Sequence, residues 1–142
     1  MKSSKHIISI LILSVIFQGF FISGCMDNEK KVAELIREAE KMLYNSRVES
    51  ARDLYEEAAE LDPDNPVIWY GLGVSWMNEE KWEKAIGYFD KAIELKSDYT
   101  DAFYNRGQAK FYLGEVYRAC EDWQLAYDLG KPNMEDKLRK CE

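Results

Sequence analysis

The sequence predicts an all-α chain of three stacked helical hairpins, and three observations carry that prediction. Sliding the 142 residues by 34 superposes the chain on itself twice without a gap: Ala51 meets Ala85 and Ala119, and Ala58 meets Ala92 and Ala126. Within the central copy, Pro66 to Tyr99, apolar and small residues recur every three or four positions, in Trp69, Leu72, Gly73 and Trp76 and again in Ala85, Phe89 and Ala92. That spacing belongs to a helix with one buried face. The polar stretch from Asn78 to Lys81 divides the copy, so each unit is a pair of antiparallel helices. A single hairpin cannot cover such a face, so copies must stack to bury it.

Large and small positions alternate in the same way in every copy. Tyr55, Phe89 and Trp123 share one large position and Leu35, Trp69 and Phe103 another, while Ala39, Gly73 and Gly107 share a small one. Leu61, Leu95 and Leu129 are expected to close each second helix. This period and pattern, from Val32 to Asn133, resemble the tetratricopeptide repeat (TPR) family. The resemblance implies a right-handed α–α superhelix with repeats at 32–65, 66–99 and 100–133 and a C-terminal capping helix at 134–142. Glu38 and Arg106 depart from it where the family usually has Leu, Lys110 where it has an aromatic, and Ser97 and Lys131 where Pro63 keeps a proline.

In the first repeat the opening helix is expected from about Val32 to Tyr44, and Ser46 with Glu49 reads as a capping box that starts the second, serine accepting from a free backbone N–H while the glutamate reaches back. Ala51, Leu54, Tyr55, Ala58 and Leu61 then face inward. At the first joint Pro63 stops a helix, Asn65 caps the next and Pro66 takes its first position, where a missing N–H costs nothing. At the second joint Thr100 or Asp98 is the expected cap. The third repeat runs through Thr100–Tyr112, an inner turn at Gly114, and a helix from Val116 to Leu129. Gly130 and Pro132 end it, a left-handed residue followed by one that cannot continue. A short charged helix reaching Lys140 then covers the last repeat, as terminal units of stacked arrays must. Glu38 has Lys41 one turn away as an ion-pair partner.

The N-terminus reads as an address. Lys2 and Lys5 precede an apolar run from Ile7 to Ile22, then Ser23, Gly24 and Cys25. A basic start, an apolar core and small residues before a cut mark an export signal over 1–24. The run falls short of the ~20 residues of a spanning helix. Its ending resembles the lipobox of prokaryotic lipoproteins, which implies cleavage before Cys25, diacylglycerol on its thiol, and a tether over 25–31. Two buried acyl chains hold a protein at a membrane firmly. The alternative is an uncleaved anchor helix with Cys25 incidental. Both readings put the repeats on the extracytoplasmic face of a cell membrane or outer membrane. With Cys25 lipidated, Cys120 and Cys141 remain, and an oxidising compartment permits a disulfide between them. Two unrelated thiols is the other reading.

Composition excludes several classes of function. The formal charge is −7, and removing residues 1–24 takes two lysines and no acid, so no basic footprint for nucleic acid exists. His6 is the only histidine and lies in the export segment, which leaves no imidazole for a nucleophile–base pair or an ordinary zinc site. No glycine-rich phosphate loop is present, and Glu56–Glu57 and Glu79–Glu80 read as solvated faces. The expectation is a non-enzyme without metal or cofactor.

The resemblance places the inner wall of the stack on the first helices. Its groove positions here include Tyr44, Tyr70, Val74, Met77, Tyr104, Gln108, Phe111 and Tyr112, an aromatic face suited to a peptide because each ring buries much area with little entropy loss. The competing reading packs several of these rings internally. One sub-class of the family grips a chaperone's C-terminal carboxylate with Lys, Asn and Arg. The matching positions here are Ile36, Glu40, Gly71, Asp101 and Asn105, without a cation, so that mode is expected to be absent. The functional expectation is a membrane-tethered adaptor or scaffold. The alternative is a homo-oligomer of the cell envelope.

Overall fold

The computed structural model describes residues 27–141, and every regular element among them is helical. Helix α1 covers 27–44. It is followed by α2 (Val48–Leu61), α3 (Pro66–Asn78), α4 (Trp82–Leu95), α5 (Thr100–Tyr112), α6 (Val116–Asp128) and α7 (Glu135–Leu138), which runs into a 3-10 turn at Arg139–Cys141. Neighbouring helices pack in chain order, and α3 also touches α5. This is the all-α repeat solenoid that the period required. The export segment and Cys25 lie outside the described residues. Among the described residues no helix is long and apolar enough to cross a membrane. Residues 27–31, expected as a tether, are already helical.

The helix ends show why the period holds and where the cap assignments failed. Four helices close in the same way. The N–H groups of Ser46, Glu80, Gly114 and Gly130 reach back three residues, and those of the next residues, Arg47, Lys81, Glu115 and Lys131, reach back five, at 2.8–3.0 Å. This double closure needs a left-handed residue, and φ is 58° at Ser46 and Glu80, 82° at Gly114 and 90° at Gly130. Ser46 is therefore spent ending α1. The cap of α2 is Arg47, without a side-chain bond, so Glu49 stands one position short of a capping box. Likewise Tyr99, not Thr100 or Asp98, caps α5, again without a side-chain bond. Asn65 does cap α3, its Oδ1 accepting from the Val67 N–H at 3.1 Å. Left-handed backbone strains a residue with a Cβ. Ser46→Gly and Glu80→Gly are each expected to raise stability by about 0.5–1 kcal/mol, read as a higher urea midpoint at unchanged slope.

Equivalent positions occupy equivalent environments. Ala51, Ala85 and Ala119 are all fully buried, as are Ala58, Ala92 and Ala126. Phe89 crowds Gly73 so closely that a Cβ there would lie 2.5 Å from its ring, and Trp123 crowds Gly107 at 2.7 Å. Tyr55 makes its close approach across the joint, with its ring pressed onto Gly71. Each repeat is sealed by the next helix: Ile68 and Leu72 enter the first core, Ala102 the second and Met134 the third. Met134 is 1% exposed, so the C-terminal segment completes the last core. Cys141 is bonded to Cys120 on α6, with Cα atoms 5.7 Å apart. The terminal segment is a single α-turn and a 3-10 turn, shorter than the helix expected. α2 and α4 end on Leu61 and Leu95, and Leu129 caps the end of α6, as expected, with Leu95 and Leu129 exposed.

The departures in the third repeat compensate one another. Asp122 of α6, 2% exposed, accepts from Arg106 Nε at 2.9 Å and Nη2 at 2.5 Å, and from Lys110 Nζ at 2.8 Å. Arg106 also reaches Asp90 of α4 at 2.6 Å. Glu38, at the position equivalent to Arg106, is exposed and makes no ion pair among the described residues, so the expected pairing with Lys41 does not form.

Candidate partner-binding groove

The predicted residues sit on the first helices, α1, α3 and α5, and their contacts divide them into two sets. In the first set Tyr70 is half-buried, its ring centroid 5.0 Å from Tyr99 and 5.8 Å from Phe89. Its hydroxyl accepts from Asn105 Nδ2 at 2.9 Å, which ties the second repeat to the third. Val74 and Met77 pack partly against the second core. Tyr44 ends α1 and is 89% exposed. In the second set Tyr104 and Phe111 line α5, with Phe111 5.4 Å from Trp123. Tyr112 is 60% exposed and stacks on Trp82 at 4.6 Å. The rings at 70, 104 and 111 touch the core beneath them yet stay partly open, so neither competing reading holds alone. Each ring is packed on one side and presented on the other.

The sequence reading missed the charges and one ring. Tyr99 sits in a joint, outside the hairpin pattern, yet stacks on Tyr70. The C-terminal segment supplies cations: Lys131 and Lys137 lie 4.7 and 5.6 Å from the Tyr104 ring, and Lys140 lies 5.0 Å from Phe111. Lys137 also donates to Gln108 Oε1 at 2.8 Å. Burial lowers the Lys137 pKa, and Lys140 adds to the shift. Asp101, on α5 as well, pairs with Lys131 at 2.6 Å. The exposed carboxylate of Glu40 lies on α1 and makes no ion pair among the described residues, while the cations of the C-terminal segment gather over the rings of α5.

Between the first two repeats lies a pocket of about 240 Å³, lined by Glu40, Leu43, Tyr55, Val67, Tyr70, Gly71, Val74 and Tyr99. Burial pushes the Tyr70 pKa up to about 12, Asp101 adding and the Asn105 hydrogen bond opposing. Burial raises Tyr55 and Tyr99 as well, with Glu40 contributing to both. The sign follows from linkage: above pH 10 the unfolded tyrosines lose protons that the folded ones keep, so stability falls as pH rises through that range. Thermal melts are expected to drop steadily from pH 10 to about 12, and absorbance titration of tyrosinate should show the late-ionising group of Tyr55, Tyr70 and Tyr99. Another concavity, about 1020 Å³, lies between α4 and α6 over the Arg106–Asp122 cluster. The cations at its floor are already satisfied by carboxylates.

A stack of helical hairpins with a partly open aromatic wall defines a repeat-type protein-interaction fold. Residues 37–100 match the family model described as Tetratricopeptide repeat, and the helical stack has the fold of a TPR-type solenoid. It is 28% identical over 113 residues to serine/threonine-protein phosphatase 5 of Rattus norvegicus, covering 80% of this chain and 22% of that protein. It is 27% identical over 119 residues to RNA polymerase II-associated protein 3 of Homo sapiens, covering 82% and 18%. The chain thus spans about a fifth of the length of these curated relatives. Among solved structures, the first TPR of Spaghetti (RPAP3) bound to the HSP90 peptide SRMEEVD superposes with a TM-score of 0.74 at 26% identity, covering 78% of this chain and 90% of that one.

Proposed function

We propose that this chain is a non-catalytic adaptor that docks a protein or peptide partner in its groove while held to an extracytoplasmic membrane face by a lipid on Cys25. The observation that carries the docking half is the row of rings along α1, α3 and α5, anchored beneath and open above. Exposed aromatic clusters on a rigid helical frame are contact surfaces. The structural neighbour that holds a peptide supports the same use. The positions that would clamp an acidic terminus here are Ile36, Glu40, Gly71, Asp101 and Asn105. Glu40 and Asp101 repel a carboxylate, and Asn105 is engaged with Tyr70, so this groove favours a different ligand. The lipid half rests on the sequence from Lys2 to Cys25.

Two measurements test the reading. Tyr44→Ala and Tyr112→Ala remove exposed rings without opening the core. Each should weaken partner co-purification from native membranes by about tenfold or more, while Tyr117→Ala, on the α4–α6 side, should leave it unchanged. Labelled palmitate should enter the wild type and not Cys25→Ser. A second reading, self-association, is favoured by the outward apolar residues of α6, among them Tyr117, Leu125 and Tyr127. Sedimentation as a stable oligomer at low concentration supports it over the adaptor.

A further inference from the structure

We propose that the pocket between the first two repeats is a receptor for a lysine side chain of the docked partner. This rests on the groove reading and adds the chemistry of one contact. The pocket combines three tyrosine rings with one carboxylate, Glu40, which makes no ion pair among the described residues. Tyr55 closes the floor, 2% exposed and pressed against the Gly71 backbone. Tyr70 and Tyr99, 5.0 Å apart, form the wall that continues into α5. Leu43 and Val74 supply apolar sides.

Each part suits a flexible aliphatic stem ending in an ammonium. At about 240 Å³ the space is small for a drug-sized ligand and fits one side chain. The apolar sides take the methylenes, as they do where lysines lie along protein surfaces. The ring faces and tyrosine oxygens attract the cation, and Glu40 supplies the counter-charge. The Tyr70 hydroxyl accepts from Asn105, leaving its own proton free to donate elsewhere. Of the chain's own cations, Lys96 already lies over the Tyr99 ring at 5.2 Å, which shows that this wall accepts an ammonium; Lys131 pairs with Asp101, and among the described residues no cation lies over Tyr55 or Tyr70. An acidic side chain would meet the carboxylate of Glu40. The basic far end, at Lys137 and Lys140, then sets a direction, with the partner's lysine toward the first repeat and its acidic residues toward the third.

The probe is Nα-acetyl-lysine amide, titrated into the isotope-labelled full-length chain in a maltoside detergent, which carries no choline group to compete. Resonances of Gly71, Tyr70 and Tyr99 should shift saturably. The Nε-acetylated analogue, with the same stem and no charge, should bind about tenfold more weakly. Glu40→Gln, an exposed substitution with an unchanged melt, should weaken the charged probe by a similar factor and leave the neutral one alone. Equal response to both probes, no response to either, or wild-type binding by Glu40→Gln overturns the lysine assignment. Failure here leaves partner capture dependent on Tyr44 and Tyr112 intact, whereas loss of that dependence ends the groove reading itself.

Discussion

Asp122→Ala is expected to lower the unfolding free energy by about 3–5 kcal/mol. Asp122 is the buried counter-charge for both Arg106 and Lys110, and Lys110 is itself only 7% exposed. Removing the carboxylate leaves two cations with no buried partner, and the cost is that of an uncompensated charge rather than of one lost hydrogen bond. Domains of this size have about 5–15 kcal/mol in total, so the variant should melt at far lower urea. Two controls isolate the cause. Asp90, whose side chain is 55% exposed, should cost below about 1 kcal/mol when replaced by alanine. The triple change Arg106→Met, Lys110→Leu and Asp122→Leu should recover most of the loss, because apolar residues of similar volume dispense with the desolvation penalty.

Trp123→Ala is expected to cost about 3–5 kcal/mol, the range for truncating a fully buried large aromatic. The indole is 0% exposed, lies against Gly107, and donates to the Tyr104 carbonyl at 3.3 Å. It also underlies Phe111, so its loss should loosen a groove ring and weaken partner capture beyond the change in stability. Gly107→Ala should cost about 1–3 kcal/mol in the wild type through overpacking. It should cost less in the Trp123→Ala background, where the crowding ring is gone and only the Ala119 carbonyl, 3.1 Å from the added Cβ, remains. That coupling in a double-mutant cycle reads the small-against-large nesting directly, by urea denaturation of four proteins.

What was legible in the sequence was whatever repeats. Ala51, Ala85 and Ala119 could be assigned to one environment because only a small residue suits a close helix contact and the period places all three there. Arg106 and Lys110 could be seen as departures. Their partner Asp122 could not, since an aspartate on a helix ordinarily faces water and its burial is decided across two helices. Ser46 matched a capping box in spelling but serves the preceding helix, a choice made by backbone closure. Tyr99 was invisible as a groove residue because it lies in a joint and has no aromatic counterpart at Asn65 or Asn133. The lysines of the C-terminal segment reached the groove only because Met134 docks into the last core and turns that segment across α5. The rings of α1, α3 and α5 were legible as a set, but Tyr112's stacking on Trp82 depends on how the third repeat sits on the second.

The docking wall is tested most directly by two photo-crosslinking positions five residues apart in one hairpin. A benzophenone amino acid at position 112 sits at the end of α5 in the proposed groove, and at position 117 it sits on α6 beside the concavity against α4. With full-length protein in its own membranes, the account predicts one discrete adduct from position 112, reduced by Tyr44→Ala, and none from position 117. An adduct from position 117 with none from 112, or equal adducts from both that ignore Tyr44→Ala, contradicts it.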